Sequence, residues 1–490
     1  MASPSAARRA GDEYQDIYGW FRALELLRPA RKVWRVSVED PTAGRFDDVT
    51  LRPEAGTSHA PEFAQVKFHV NEAGHYSTEV IIHREKAGSR SLLEKAWQTW
   101  RLLRVEDPRV QLLLVTTFSW DPADAVAHHL RRGNKLTHDF VNGTCEAKGV
   151  AARTLWWEHL DQPDPDEFTA FLGSLQFRLG YPATSELMEW TAERMELVGL
   201  KHDDADVFRG GNQILQWILE GKASISRQDM DDVIKEMDLL DPGATTEPAV
   251  SLYVHTILKE PIETDGDYEL DWRDQFEGAE WLRGHRVHDP DAWNKVMLPE
   301  LVGTRDRIMA DTRVRLVRAR GKARLSAWFA TGWIFSGVAG WKIEVEQNDN
   351  RWRSDAPESV DVTLVDTLED LGGDAGTLAV GVSITGDLSG DVRAYLAEIG
   401  NPAAKFLHVK LSLGTGLVIR SAGDLTALTH LLRDRMRSAL GHRPKRLLLF
   451  YFGPFAGAAF IGSSLNAVAP EIQVYEDQNP GYAPSFTFRQ

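Results

Sequence analysis

Two short stretches carry residue types suited to breaking a phosphodiester bond: Phe46-Asp47-Asp48-Val49 and, soon after, Gln65-Val66-Lys67. In the second, Ala64, Val66, Phe68 and Val70 alternate with Gln65, Lys67 and His69, and the two-residue period of a strand sends these sets to opposite faces. Gln65 and Lys67 therefore share one face. Such hydrolysis needs a hard cation, Mg2+ or Mn2+, to polarise the phosphoryl oxygen and generate hydroxide near neutral pH, with a positive group beside the charge that develops. On this reading Asp48 ligates the metal, Gln65 helps to position metal or water, Asp47 is a lesser helper, and Lys67 faces the attacked phosphate. Asp48 takes precedence over Asp47 because it directly precedes the apolar Val49 and so opens a strand. A solvated strand face has the same look in isolation, so the neighbouring elements must decide.

Upstream, Tyr14, Ile17, Tyr18, Phe21 and Leu24 recur at helical spacing and predict a helix over about residues 12–27, with Glu13, Gln15 and Asp16 off the apolar stripe. Residues 33–39 alternate as a strand, a short strand is expected over 79–83, a helix over 89–104 with Leu93, Ala96, Trp97 and Trp100 on one side, and an apolar strand over 110–117. The order helix, three or four strands, helix, strand, with Asp48 leading into one strand and Gln65-x-Lys67 in the next, resembles the restriction-endonuclease-like PD-(D/E)xK superfamily. Gly11-Asp12-Glu13-Tyr14-Gln15, the Asp-Asp-Val and the Gln-Val-Lys look more closely like the nuclease domain fused to many bacterial anti-phage effectors. That resemblance adds Gln15 to the candidate catalytic set. Gln65 stands where the superfamily more often has Asp or Glu.

At 490 residues the chain exceeds one ordinary core, and two or three domains are expected. Its single cysteine, Cys145, excludes an internal disulfide, offers no cysteine-rich metal site and suits a reducing cytoplasmic compartment, and no motif around it marks a nucleophile. Arg8 and Arg9 are followed by no apolar stretch, so no signal peptide is expected. The most apolar run, 447–462, is broken by Gly453-Pro454 and falls short of the ~20 residues of a membrane helix. A net charge of −16 argues against a nucleic-acid partner only until its distribution is considered. Residues 1–110 hold 17 Lys and Arg against 16 Asp and Glu, whereas 201–300 hold 10 against 23. The acidity lies mid-chain, which leaves the first segment able to meet a phosphate backbone with local Arg and Lys.

Residues 154–240 read as helical, with Trp156, Trp157, Phe168, Phe171 and Leu172 early and Leu215, Trp217, Ile218, Val233 and Met237 late. They are expected as a helical extension whose tryptophans are core rather than base-stacking platforms. Breakers and small polar residues mark 241–248 as the linker. Beyond it, after a segment with Trp272, Trp281 and Trp293, strands and helices alternate, and an internal repeat emerges. Strand 314–317, a polar turn with Gly321, a small-residue helix 326–335 and strand 341–345 are matched by strand 447–452, the Gly453-Pro454 turn, a small-residue helix 455–466 and strand 472–475. Two copies of a Rossmann-like half are implied, with further strands over 378–384 and 406–413 and a helix over 425–440 between them.

In doubly wound sheets, glycine-bearing turns at strand ends and helix N-termini present backbone N–H groups to anions. The candidate ligand residues are therefore Lys322, Arg324 and Ser326 on one turn, Gly453, Pro454 and Phe455 on its repeat, and Ser383, Thr385 and Gly386 between them. There is no G-x-G-x-x-G fingerprint after the first strand and no Walker lysine motif, which disfavours an NAD enzyme or a P-loop ATPase. Trp328-Phe329 with Gly332, Gly340 to Gln347, Leu449 to Pro454 with Leu465-Asn466, and Tyr475-Glu476 with Tyr482-x-Pro484-Ser485-Phe486 resemble the SAVED domain, a fusion of two CARF-like sensor units, from about residue 250 onward.

The expected fold is thus α/β: a restriction-endonuclease-like core over 1–153, its helical extension over 154–240, a linker over 241–248 and a SAVED-like sensor over 249–490. Together these resemble the nuclease effectors of CBASS anti-phage systems. That resemblance implies a cyclic tri- or tetranucleotide made by a cognate CD-NTase, ligand-induced homo-oligomerisation, and cleavage of double-stranded DNA with little sequence preference. The alternative is a scaffold that binds nucleotides or nucleic acid without hydrolysis.

Overall fold

Tyr14, Ile17, Tyr18 and Phe21 are fully buried, and the helix that carries them, α1 (Pro4–Ala23), runs on into a 3-10 turn at Leu24–Leu27. This computed structural model describes residues 4–490 except 58, 70–73, 87, 132–134, 244–246, 259–265, 279–284, 348–349, 417–418 and 479–480. Val70, Trp281 and the middle of the expected linker fall outside the described residues. The chain is mixed α/β and divides into two compact units, Met1–Thr246 and Glu247–Gln490.

In the first unit, β1 (Val33–Val38), β2 (Val49–Pro53) and β3 (Glu62–Lys67) form an antiparallel meander, and β3 then pairs in parallel with the Gln111–Thr116 strand. The crossover between those parallel strands contains the helix Leu92–Leu103, started by a capping box in which Ser91 accepts from the Glu94 N–H and Glu94 accepts from the Ser91 N–H. Trp97, Trp100 and Phe171 cluster in the core on this side.

Two expectations change. Residues 79–83 are not a strand: Ser77 accepts a hydrogen bond from the Val80 N–H and caps a short helix, Thr78–Ile82, overriding the β-branched run. Residues 154–240 are not purely helical either. They add Leu175–Arg178 beside the Gln111–Thr116 strand and Ser224–Ser226 beside β1, so this stretch completes an eight-stranded sheet rather than extending a finished domain. Of the tryptophans expected in the core, Trp156 and Trp217 are buried and Trp157 is half-buried.

The end of α1 is fixed by charge. Glu25 is fully buried, and burial alone would favour its neutral form, but Arg28 at 3.0 Å, Arg31 at 2.8 Å and Arg194, with Arg22 nearby, hold its carboxyl well below the usual range. Arg22 in turn meets Glu62 of β3 at 2.5 Å. The helix that precedes the candidate catalytic strand is thereby tied to it.

The second unit contains the predicted repeat, and strand order makes it explicit. In the first half the strands Ala249–His255, Tyr268–Asp271, Leu316–Arg320, Lys342–Gln347 and Asn350–Arg353 are arranged 2-1-3-4-5, the first four parallel and the fifth antiparallel. In the second half Asp374–Ser383, Ala403–Leu411, Arg446–Phe452, Glu471–Asp477 and Tyr482–Arg489 repeat that order and those directions, with Leu364–Asp370 added antiparallel at the edge. In each half a small-residue helix follows the third strand: Leu325–Ile334 in the first and Phe455–Ser464 in the second.

These two helices pack on each other through a reciprocal contact. A Cβ added to Gly332 would lie 1.8 Å from the Ala459 carbonyl oxygen, and one added to Gly462 would lie 2.1 Å from that of Phe329. Each helix therefore needs a bare Cα where it meets the other's backbone. Gly332→Val should force the helices apart and destabilise the full chain by about 1–3 kcal/mol or more, the usual range for overpacking. Gly337→Ala, at a position with open space, should not. Unchanged thermal unfolding of Gly332→Val would contradict this packing.

Candidate functional site

Two of the catalytic candidates, Asp48 and Gln15, meet at one residue of β3. Register places Val49 opposite Ala64 and Thr50 opposite Phe63, so Asp48, just before β2, comes level with Gln65. Where the ladder runs out, the Asp48 carboxylate takes over: its Oδ2 accepts from the Val66 N–H at 2.6 Å and from Gln65 Nε2 at 2.5 Å. On the other side of the same residue, Gln15 Nε2 of α1 donates to the Val66 carbonyl at 3.3 Å. Tyr14 stacks on Phe68 with ring centroids 4.7 Å apart. Asp48 and Gln15 are thus tied to the backbone of Val66, Gln65 is tied to Asp48, and Gln15 acts on the strand's position.

The acid is set by its loop. Asp40 accepts from the Thr42 N–H at 3.0 Å, from Thr42 Oγ1 at 2.6 Å and from Thr50 Oγ1 at 3.2 Å, while the Glu39 and Asp40 N–H groups bond to the carbonyls of Asp48 and Asp47. Burial raises the Asp48 carboxyl above its ordinary value, and Asp47 adds to this; the Val66 and Gln65 hydrogen bonds and the Lys67 charge oppose it without cancelling it. Lys67 is exposed at the end of β3, on the face of Gln65.

Three groups here were not singled out in the sequence. His69 stacks on Phe118 at 3.7 Å, and burial together with the Lys67 charge pushes its imidazole toward the neutral form. Asp16 is pushed up to about 7 by burial and then by Asp12, Glu39 and Glu13. Glu39 itself takes a positive φ at the turn out of β1. Helical and strand periodicity places these acids on polar faces, but only the fold brings Glu39 toward α1. Among the described residues, the one group of His, Cys, Asp or Glu close enough for three metal ligands is His129, Cys145 and Glu146, which does not include Asp48.

In the second unit a cavity of about 490 Å³ opens at the carboxyl ends of both half-sheets. In a 2-1-3-4-5 sheet the chain leaves strands 1 and 3 in opposite directions, and ligands settle in the resulting crevice. Here both crevices contribute to one space: Ile257 and Ala323 to Ser326 come from the first half, and Asp387, Leu388, Phe452 and Phe455 from the second. Of the nine expected ligand residues, Arg324, Ser326 and Phe455 line it.

The other six have different surroundings. The Lys322 carbonyl accepts from the Thr256 and Ile257 N–H groups. Ser383 is fully buried, its hydroxyl shared between His408 Nε2 at 2.9 Å and the Leu388 N–H at 3.1 Å, so it braces its own turn. The Thr385 N–H bonds to the Phe452 carbonyl, Gly386 lies against the Phe452 ring, and Gly453 and Pro454 lie against Tyr451, whose hydroxyl donates to the Pro454 carbonyl at 2.8 Å.

The helix N-terminus at Ser326 already has an acceptor from within the chain. The Ser326 N–H, at the N-terminus of the Leu325–Ile334 helix, is already bonded to the carboxylate of Glu476 at 3.1 Å, with the Arg324 guanidinium 3.7 Å from the same carboxyl group. Glu476 is buried, and burial raises its carboxyl despite Arg324 and Ser326. With Asp387, Asp391 and Asp477 also in the lining, the cavity is rich in acceptors.

Residues 302–488 match the family model described as the SMODS-associated and fused to various effectors sensor domain. The second unit carries a SAVED domain. The SAVED match begins after the first two strands, Ala249–His255 and Tyr268–Asp271, which nevertheless belong to the same sheet. Similar solved structures are the Acinetobacter baumannii Cap4 SAVED/CARF-domain containing receptor with the cyclic trinucleotide 3'3'3'-cAAA, 16% identical over 98% of this chain and 99% of that one with a TM-score of 0.49, and the Moraxella osloensis Cap4 receptor, 17% identical over the same shares with a TM-score of 0.45. No curated protein matches the sequence. Among the described residues no helix is long and apolar enough to cross a membrane.

The raised Asp16 carboxyl has a consequence for stability. Its folded-state pKa exceeds the unfolded value, so the folded chain holds the proton more tightly and Asp16 costs stability as pH rises from about 4, where an ordinary Asp titrates, to about 7. Asp16→Asn should match the parent at pH 4 and surpass it above pH 7 by on the order of 1 kcal/mol after solvent screening. Denaturant melts across that range test this, and a gap that widens toward low pH would refute it.

Proposed function

We propose that this chain is a ligand-activated nuclease whose SAVED domain senses a cyclic oligonucleotide and whose first unit cuts double-stranded DNA, as in a CBASS anti-phage effector. The observation that carries the reading is the convergence of Asp48, Gln65 and Lys67 at one strand end, in a chain whose other unit matches a sensor domain of the effector-fused kind. The donor set fits a hard cation: the Asp48 carboxylate and the carbonyl oxygen that Gln65 retains while its amide N–H binds Asp48 are oxygen ligands, and Mg2+ is satisfied by one or two carboxylates with water in the remaining positions. Such an ion, when bound, supplies Lewis-acid polarisation of the phosphoryl oxygen and an activated water.

The chain's own residues do the rest. Gln15 and Asp48 fix β3 from two sides, so Lys67 projects from a held strand end. Its ammonium stabilises the negative charge gathering on the attacked phosphate. The second reading, binding without hydrolysis, is favoured by Gln65 standing in place of a second acid. Lys67→Ala discriminates between the two: cleavage of plasmid DNA in the presence of Mg2+ and activating ligand should fall on the order of 10²-fold or more, with ligand affinity unchanged. Undiminished cleavage removes Lys67 from the mechanism, and a parent protein that binds DNA without cutting it supports the scaffold.

A nuclease with little sequence preference must be silent without its signal. Joining protomers is the simplest control, because it brings two catalytic sites to opposite strands and multiplies weak DNA contacts through effective concentration. Moving a silent-to-active ratio from 1:99 to 99:1 needs a ligand that favours the assembled state by about 5.5 kcal/mol. Light scattering with a panel of cyclic tri- and tetranucleotides, run beside cleavage assays, should show assembly and activity appearing with the same ligand. Activation of a strictly monomeric protein would place the switch within one chain.

A further inference from the structure

In the first unit, outside the Asp48 cluster, His129, Cys145 and Glu146 place Nε2, Sγ and a carboxylate oxygen within 4.8 Å of one another. We propose that these three side chains form a Zn2+ site, with water in the fourth position, that clips the 3-10 turn Ala127–His129 to the start of the helix Ala147–His159.

The donor chemistry comes first. An imidazole, a thiol and a carboxylate together suit Zn2+ better than Mg2+ or Ca2+, which prefer oxygen alone. Geometry agrees. His129 Nε2 lies 3.1–3.2 Å from the Glu146 carboxylate oxygens, close to the roughly 3.4 Å that separates neighbouring ligands on a tetrahedron with bonds of about 2.0–2.1 Å. Cys145 is only partly buried, and its Sγ lies within 4.8 Å of both other donors.

The surroundings are those of a built site. The His129 side chain is 5% exposed, and its other nitrogen, Nδ1, lies 3.1 Å from Thr137 Oγ1, with Asp139 3.8 Å away. That is the outer partner which turns a ligating imidazole toward the ion and fixes its tautomer. Position 149, one turn into the helix, is glycine: a Cβ there would lie 2.6 Å from His129 Nε2 and 2.7 Å from Cys145 Sγ. The helix therefore keeps its backbone clear of the two soft donors. Asp139 and Glu146 surround the thiol with negative charge, which a dication would offset, and binding releases the thiol proton. Without an ion, the His129–Glu146 contact is an ordinary hydrogen bond.

The probe is Co2+ titrated into the full-length, chelator-stripped protein. Thiolate coordination gives a near-ultraviolet sulfur-to-cobalt charge-transfer band, which an oxygen-only site around Asp48 cannot produce. The expected result is one such band saturating at one ion per chain and bleached by Zn2+. It should be lost in Cys145→Ser, with the circular dichroism unchanged, and its affinity should weaken roughly 10–100-fold in Thr137→Val, the usual effect of removing an outer partner. Co2+ uptake without the band, a band that persists in Cys145→Ser, or no uptake at micromolar Co2+ would each overturn the proposal and leave the His129–Glu146 hydrogen bond as the explanation.

Discussion

A carboxylate taken out of water must be given donors, and this chain is organised around three that are. Glu25 receives arginines from α1, from the turn after it and from the Thr184–Leu197 helix, which fixes the first helix. Asp48 receives the Val66 N–H and the Gln65 amide, replacing a ladder bond just before β2 begins. Glu476 receives the N-terminus of the Leu325–Ile334 helix and Arg324. Each acid joins segments distant in sequence, so its removal would strand donors as well as delete a charge. The latter two also sit where chemistry or ligand binding is proposed, so structural and functional demands fall on the same groups.

The two half-sheets of the second unit explain why their crevices open into one shared cavity. Identical strand order gives each half a crevice after strands 1 and 3, and the following helices cross through Gly332 and Gly462. A bulkier residue at either glycine would widen the gap between the helices. Their close approach lets both crevices contribute to one space, with Ser326 and Phe455, at the starts of those helices, both in its lining.

Local pattern made much of this legible. The alternation of Ala64 to His69 placed Gln65 and Lys67 on one face, and the matching strand, turn and small-residue helix announced the repeat, because periodicity and breakers are properties of neighbours in sequence. The failures share the opposite cause. The Thr78–Ile82 helix depends on a cap from Ser77 that outweighs the β-branched run Val80-Ile81-Ile82. Ser383 lies on an apparent ligand turn, but its hydroxyl is used by His408, 25 residues away. Ser326 stands at a helix N-terminus on a candidate ligand turn, but its N–H is taken by Glu476, 150 residues on. Gln15 could be placed on a polar helix face, but its grip on the Val66 carbonyl needs the packed helix and strand together.

The charge of the cavity constrains how a cyclic oligonucleotide would lie in it. Asp387, Asp391, Glu476 and Asp477 line the space against Arg324, whose guanidinium is already shared between Glu476 and the His285 carbonyl. A phosphodiester placed among these acids would be repelled, and it would have to displace Glu476 to reach the Ser326 N–H. Carboxylates are acceptors, so they favour the amine edges of bases, while Phe452, Phe455 and Tyr482 offer rings for stacking. A cyclic ligand would therefore turn its bases into this space and leave its phosphates at the rim. Base identity would then be read at the acids, and the number of phosphates outside them.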